Sequence, residues 1–291
     1  MSERPMCTVI VPTYNRADLL EHTLFSLARQ SVPTSDFEVI VVDDGSTDST
    51  PEVAARYASR LGLRYFRQAD EGYRVAAARN VGISHARSEV CVFLDSGVLA
   101  HSRLLAAHLA SHAVDPDAAV CGYVHGLSFD DHGADAIRAI GDPGRPDQTI
   151  AGMAADPAWA DPREAFYAKH TDEFGGLPAP WVVFWTCNVS ARTERLRAVG
   201  RFDEAYRSWG AEDIDLGYRL HRAGTRFVLN RAAASVHWPH PKDRAANTES
   251  VMANYRYFAA AYDDPAVRLV GRVRLFDLND ALMSRTARQL P

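Results

Sequence analysis

Lysine is nearly absent from this chain, since Lys169 and Lys242 are the only two in 291 residues. The formal net charge is −5, and no run of basic residues is available to hold a nucleic acid or an anionic bilayer. The four cysteines show no CxxC spacing, which favours small buried residues in a reducing compartment over a metal or dithiol motif. The longest apolar stretch, residues 90–100, is interrupted by Asp95 and is too short to span a membrane.

The first residues carry no signal-peptide pattern, because residues 1–5 are polar and the apolar run after them has only strand length. We therefore expect a cytoplasmic protein, with peripheral attachment to a membrane left open. An alanine- and arginine-rich, lysine-poor composition is typical of bacteria with GC-rich genomes. A homodimer is left open as the assembly.

Strand-like and helix-like segments alternate in the first part of the chain. Short apolar, β-branched runs occur at residues 7–11, 37–42, 63–66, 90–94 and 118–124. Helical patterns of ten to fifteen residues between strands predict right-handed βαβ units and an α/β fold with a mainly parallel sheet flanked by helices. Ligands of such sheets bind beyond the carboxyl ends of the strands.

Composition divides the chain into four parts. Residues 1–124 carry the alternating pattern, and residues 125–180 form a loop-rich insertion dominated by Asp, Gly, Pro and Ala. This insertion is either a lid over the binding edge or a surface excursion. Order returns in residues 181–240, with strand-like runs near 226–229 and 233–237, and residues 241–291 form a helical C-terminal tail.

The second strand-like run ends in Asp43-Asp44-Gly45-Ser46. Adjacent carboxylates suit hydrogen bonding to a nucleoside and would repel a phosphate. Neither a P-loop nor a GxGxxG fingerprint is present. The alternative is an Asx turn that caps the next helix. Tyr14, just past the first strand, is either a ring that stacks on a planar base or a half-buried loop tyrosine.

Two further strand ends carry candidate ligands. Asp95 follows an apolar strand and is a candidate for contact with a divalent metal or a ribose, or else begins a strand-ending turn. His237 follows the last strand-like run, where a neutral imidazole can bind a metal. A structural histidine is the alternative.

The most specific stretch is Trp209-Gly210-Ala211-Glu212-Asp213. Its carboxylates fall at the start of an amphipathic helix, where the macrodipole is expected to keep Asp213 ionised, as a general base requires. Trp209 could pack against a sugar face. The alternative is that these acids are the ordinary charged residues of a helix N-terminus, with one of them as the cap. That alternative leaves the Trp-Gly pair unexplained.

In this order, these segments resemble family 2 glycosyltransferases of the GT-A fold. The matching segments are residues 8–16, 41–48, 73–82, 93–95 and 209–216. The last of them is similar to the WGxED segment of chondroitin-polymerase-like and β-galactosyltransferase-like enzymes. The resemblance implies a Rossmann-like α/β fold with a mixed, mainly parallel sheet.

The resemblance also implies a reaction: inverting transfer of a hexose or N-acetylhexosamine from a UDP-sugar to a hydroxyl of a glycan, a lipid-linked sugar or a secondary metabolite. Residues 1–124 would bind the donor. The implied donor-binding residues are Pro12, Thr13, Tyr14, Asp44, Arg74, Asn80, Asp95 and Ser96. Tyr14 would stack on the base, and Asp44 would bond its imide.

The acceptor side would lie in residues 181–240, with Asp213 as the base that deprotonates the acceptor. The implied acceptor-binding residues are Trp185, Trp209, Glu212 and Asp215. Asp95 and His237 would bind a divalent metal, Mn²⁺ or Mg²⁺. The family's Asp-x-Asp motif usually ends in an acid, and here that position is Gly97, which lacks the oxygen donor. The resemblance therefore leaves a weak metal site or none.

Two other function classes compete with this interpretation. A nucleotidyltransferase would need a glycine-rich loop with Arg or Lys after the first strand, and residues 12–16 do not form one. A nucleotide-sugar-binding protein without transferase activity is favoured by Gly97 and opposed by the intact Glu212-Asp213 pair. The aromatic residues at 181, 184, 185 and 209 would line an acceptor subsite or pack in the core.

Overall fold

A computed structural model describes residues 4–128, 133–172 and 174–289. The strands in this part of the chain are β1 Cys7–Thr13, β2 Phe37–Asp43, β3 Arg64–Arg67, β4 Val90–Leu94, β5 Val98–Ala100, β6 Ala119–His125, β7 Asn188–Arg192 and β8 Phe227–His237. They form one sheet in the order β3-β2-β1-β4-β7-β6-β8-β5. The first four strands are parallel, as the βαβ pattern predicts.

Helices cover both sides of this sheet. Those in the described residues are α1 Ala17–Leu27, α2 Thr50–Leu61, α3 Val75–His85, α4 Leu104–Val114, α5 Ala134–Ile140, α6 Pro146–Ala154, α7 Glu164–His170, α8 Thr193–Ala198, α9 Glu212–Arg222, α10 Arg244–Ala261 and α11 Leu278–Gln289. None of the helices in this part of the chain is long and apolar enough to cross a membrane.

The second half of the sheet is mixed. Strand β7 lies antiparallel between β4 and β6, and β5 pairs antiparallel with β8. Only three residues separate β4 from β5, which is too few for a crossover to a parallel neighbour. The two strands expected at 226–229 and 233–237 are one strand, β8, which pairs with β6 through a register shift at Gly122/Tyr123.

Alternating side chains of the sheet enter two apolar clusters. Ile10 and Phe93 pack on one face, whereas Val9 and Val92 pack on the other, and all four are fully buried. Burial on both faces explains why these strands read as continuous apolar runs. All four cysteines are free and buried.

The insertion is fastened to the sheet by a buried ion pair. Arg163 bonds Asp161 at 2.6 Å and donates to the carbonyls of Gly122 and Val183, while Asp161 accepts from the Val124 amide. Removing either partner would leave an uncompensated buried charge, which costs about 3–5 kcal/mol. Residues around 161–163 therefore belong to the core, even though the insertion as a whole is loop-rich.

Candidate active site

The carboxyl ends of β1 and β2 meet in register and form one wall of a crevice. Thr13 pairs with Asp43, and the Asp44 amide donates to the Thr13 carbonyl at 2.9 Å. The loops beyond them are tied together, because Asn15 donates its amide to Ser46 Oγ at 2.8 Å. The neighbouring strand β4 ends just before Asp95, so the three polar strand ends share one edge of the sheet.

The two adjacent acids have different surroundings. Asp43 is fully buried and accepts from the amides of Gly45 and Ser46, which is the Asx turn considered above. Asp44 accepts from the side-chain amide of Gln68 and from the Arg74 amide at 2.8 Å. Burial raises the pKa of Asp44, while these hydrogen bonds act in the opposite direction. Asp43 thus shapes the turn, whereas the contact of Asp44 with the donor stays a prediction.

The end of β1 presents an aromatic ring and an unsatisfied hydroxyl. Tyr14 is 43% exposed, and its hydroxyl donates to Asp70 at 2.9 Å. Thr13 is buried and its Oγ1 has no hydrogen-bond partner in the described structure, while Pro12 is buried beside it in the strand. A buried polar atom without a partner is costly and is often satisfied by a ligand.

Arg79 joins the donor side of the crevice to the acceptor side. Its guanidinium donates to Asp95 Oδ1 at 2.9 Å and to Glu212 Oε1 at 2.8 Å. Only 4% of the Arg79 side chain is exposed, against 33% for Asp95. No sequence pattern singled out Arg79 as a site residue, although it lies inside the matching segment 73–82. Ser96, the residue after Asp95, is buried in the turn that leads to β5.

Asn80, the next residue on α3, contacts the chain a few residues before the Trp209–Asp213 segment. Its side chain donates to the Phe202 carbonyl at 2.9 Å and to Glu204 at 2.8 Å, and accepts from the Phe202 amide at 2.9 Å. Both the nitrogen and the oxygen of the Asn80 side-chain amide therefore have partners within the protein, and Asn80 connects α3 to residues 202–204.

Glu212 and Asp213 lie in the first turn of α9. Asp213 is half-buried, and burial, followed by the charge of Glu212, raises its pKa to about 7. The helix macrodipole therefore does not hold Asp213 fully ionised, because burial and the adjacent acid outweigh it. A general base is most effective with a pKa near the working pH. Glu212 is buried, and its Oε2 has no partner in the described structure, so it is available to a ligand hydroxyl.

The other expected acceptor residues divide into two groups. Trp209 is 36% exposed beside the acids. Asp215 accepts from Arg219 at 2.6 Å and from Tyr262 at 2.8 Å, so both its oxygens are used inside the protein. The Trp185 ring packs 5.7 Å from that of Phe276. The acceptor roles of Asp215 and Trp185 stay predictions, and the residues at 181 and 184 are fully buried, which favours the core-packing alternative for those two.

Helix α10 holds the turn that carries the two acids, a contact that no sequence pattern predicted. The Asn254 side-chain amide donates to the carbonyls of Ser208, Trp209 and Gly210, the last at 2.7 Å. Burial, and then the charge of Asp213, raises the pKa of Tyr255 to about 12. The C-terminal tail therefore contacts the turn that carries Glu212 and Asp213.

At the end of β8, His237 is buried and its ring lies 5.4 Å from that of His240. Burial, followed by Lys242, His240 and Arg16, holds the pKa of His237 well below its ordinary value. The imidazole is therefore neutral at physiological pH.

Two family models match the sequence. The model of glycosyl transferase family 2 matches residues 8–147, and that of the N-terminal domain of galactosyltransferase matches residues 170–240. The first segment contains Asp44 and Asp95, and the second contains Glu212 and Asp213.

Curated relatives support the same assignment. The validoxylamine A glucosyltransferases of Streptomyces hygroscopicus subsp. jinggangensis (strain 5008) and subsp. limoneus are 39% and 38% identical to this chain over 254 residues, or 87% of it. The chain spans 60% and 56% of their lengths. Chondroitin synthase of Escherichia coli is 32% identical over 251 residues, covering 82% of this chain and 36% of that protein.

Solved structures share the fold. Staphylococcus aureus TarS 1–349 in complex with UDP-GlcNAc matches with a TM-score of 0.65 at 20% identity, covering 87% of this chain and 65% of that one. The mannosyltransferase PcManGT from Pyrobaculum calidifontis, in complex with GDP-Man and Mn²⁺, matches with a TM-score of 0.61 at 23% identity, covering 99% of this chain and 76% of that one. These likenesses confirm the expected GT-A fold. The family models and the curated relatives show that the chain belongs to glycosyltransferase family 2.

Proposed function

We propose that this chain transfers a hexose from a UDP-sugar to a hydroxyl of a small acceptor, with inversion at the anomeric carbon. The observation that carries the proposal is the pair at the start of α9. Asp213 has a pKa raised to about 7, and Glu212 beside it keeps one buried oxygen unsatisfied. The proposed base, Asp213, and a carboxylate oxygen of Glu212 that can accept a hydrogen bond from a substrate hydroxyl therefore lie side by side at one edge of a nucleotide-type crevice.

In this mechanism Asp213 takes the proton of the acceptor hydroxyl while the acceptor oxygen attacks the anomeric carbon. The bond from that carbon to the diphosphate breaks, and its electron pair leaves with the nucleoside diphosphate. Glu212 orients the acceptor through its free oxygen, while Arg79 fixes the other oxygen at 2.8 Å. A positioned base supplies about 10²–10⁴-fold of the rate.

The comparisons support the choice of substrates. The structure of TarS with UDP-GlcNAc supports a uridine nucleotide donor. Relatives named validoxylamine A glucosyltransferase support a glucose donor and a small-molecule acceptor over a growing polysaccharide. The sites of Tyr14 and Asp44 suit a planar base with an imide edge. We retain a cytoplasmic location as part of the proposal.

The test begins with thermal-shift screening against a nucleotide-sugar panel, followed by UDP release from the best donor with and without candidate acceptors. We expect Asp213→Asn to lose at least 10²-fold in transfer while its affinity for UDP stays within twofold of the parent. The matched control is Asp263→Asn, a carboxylate that is 89% exposed in a surface ion pair. Full turnover by Asp213→Asn would remove Asp213 from the role. Donor binding without any turnover would favour the nucleotide-sugar-binding alternative.

A further inference from the structure

The residues assigned to a divalent metal do not form a complete ligand set. Asp95 already gives one oxygen to Arg79 at 2.9 Å, and Gly97 contributes no side chain. His237 is buried, and cationic side chains help to lower its pKa. Across residues 4–128, 133–172 and 174–289, no three His, Cys, Asp or Glu side chains are grouped to hold a metal ion. A divalent cation here would meet repulsion with few oxygen ligands to offset it.

Two permanently positive side chains, Arg16 and Lys242, lie beside two histidines of lowered pKa at the place where the metal is expected. We call Arg16, His237, His240 and Lys242 the cation cluster. Arg16 Nη1 lies 3.3 Å from His240 Nε2, and the rings of His237 and His240 are 5.4 Å apart. Arg16 and Lys242 both act electrostatically on both histidines. Arg16 is exposed, and no carboxylate in the described part of the chain pairs with it.

The cluster lies next to the turn after β4. His237 pairs with Val98 across β5 and β8, and the following Trp238 amide donates to the Gly97 carbonyl at 2.9 Å. Arg16 reaches the same place from the loop after β1, directly before α1. Arg16 and Lys242, with the two histidines, therefore lie close to both the end of β1 and the turn that contains Asp95, and a donor diphosphate would occupy this edge of the crevice.

We propose, on the basis of the transferase function above, that Arg16 and Lys242 with His240 bind the diphosphate of the donor and stabilise the leaving nucleoside diphosphate without a divalent cation. When the bond to the anomeric carbon breaks, the diphosphate gains one negative charge. A guanidinium and an ammonium are permanent charges that offer several hydrogen-bond donors to phosphate oxygens. Fixed positive groups aimed at a developing charge are an effective form of catalysis.

The experiment compares UDP with uridine in the full chain. Binding of both is measured by calorimetry in EDTA and in Mn²⁺ for the parent, Arg16→Ala, Lys242→Ala and the double variant. We expect UDP affinity in EDTA to lie within twofold of that in Mn²⁺. Each single change should weaken UDP binding about tenfold or more and leave uridine binding unchanged, and Arg16→Lys should recover most of the loss. Donor turnover should persist in EDTA.

The matched controls are Lys169→Ala and Arg60→Ala. Lys169 is the other lysine of the chain and forms a surface pair with Asp280, and the Arg60 guanidinium donates to the Ala28 carbonyl. Both should bind UDP like the parent. Loss of UDP binding or turnover in EDTA, restored by Mn²⁺, would overturn the inference, as would unchanged UDP affinity in Arg16→Ala and Lys242→Ala. Failure of the parent to bind either uridine or UDP would instead count against the proposed function itself.

Discussion

Arg79 on α3 and Glu212 on α9 form a buried ion pair of 2.8 Å across a sequence separation of 133 residues. The same guanidinium bonds Asp95, so one side chain fixes an acid on the donor side and an acid beside the base. The positive charge of Arg79 also acts on Asp213, because it lowers the pKa that burial and Glu212 raise. The pair therefore links the position of Glu212 to the basicity of Asp213.

We expect Arg79→Met to lower the free energy of unfolding by about 3 kcal/mol, since a buried Glu212 would lose its partner. The pKa of Asp213 should rise further, which moves the acid limb of kcat/KM to higher pH. Urea denaturation and a pH–rate profile measure the two effects. Arg195→Met, which breaks a largely exposed pair with Asp117, should cost about 0–1 kcal/mol and leave the profile unchanged. An unshifted profile in Arg79→Met would contradict the coupling.

The pH dependence of the parent follows from the raised pKa of Asp213. A general base acts only when deprotonated, so kcat/KM should fall about tenfold per pH unit below a midpoint near the pKa of about 7 and level off above it.

The charge of Glu212 is one cause of that raised pKa. Glu212→Gln should therefore move the midpoint to lower pH, whatever it does to the maximal rate. Glu212→Asp keeps the charge and serves as the comparison. A midpoint that stays near 7 in Glu212→Gln would mean that burial alone sets the pKa.

Local patterns predicted the donor half of the fold well. Strands β1 to β4 were expected within one or two residues of their boundaries, because an apolar run is a short-range signal. The insertion of β7 between β4 and β6 was not predictable. It depends on pairing between segments about a hundred residues apart, which leaves no mark on either segment.

The same limit applies to the candidate site. The strand-end acids and the Trp209–Asp213 segment were found because their residue types are unusual at those positions. Arg79 looks like a surface residue on an alanine-rich helix, and only the packing of α3 against α9 buries it. Asn254 likewise carries no signal of its own, since an asparagine within a long polar helix is expected to face solvent.

Gly97 offers a direct test of whether a missing carboxylate limits metal binding. Its φ is +100°, its amide donates to Thr23 Oγ1 at 2.9 Å, and an added Cβ would meet only Leu19 at 3.5 Å. Space is available, but an L-residue is strained in this conformation by about 1–3 kcal/mol. We expect Gly97→Asp and Gly97→Ala to lose similar amounts of stability by urea denaturation.

The comparison of these two variants isolates the carboxylate, because both carry the same backbone strain. We expect neither to gain turnover with Mn²⁺, since the cation cluster would still repel the ion. If Gly97→Asp became strongly activated by Mn²⁺ while Gly97→Ala did not, the missing acid would be the reason for the weak metal site.

Helix α10 supplies the last prediction through Asn254, which bonds three successive carbonyls of the turn before α9. The turn packs closely against α10 at Gly210, which has a φ of +94° and whose added Cβ would lie 3.1 Å from Val251. Asn254→Ala would leave the carbonyls without these donors, at a cost of about 1–3 kcal/mol. The position of Asp213 would loosen, whereas the donor side at β1 and β2 would not change.

We therefore expect Asn254→Ala to lower kcat at least tenfold while the affinity for UDP stays within twofold of the parent. Asn247→Ala is the matched control, since this half-buried asparagine on the same helix makes no side-chain hydrogen bond within the described structure. A purely structural role for Asn254 would lower stability and UDP binding together. Loss of kcat alone, at a temperature where both variants are folded, would instead assign Asn254 to the positioning of the base.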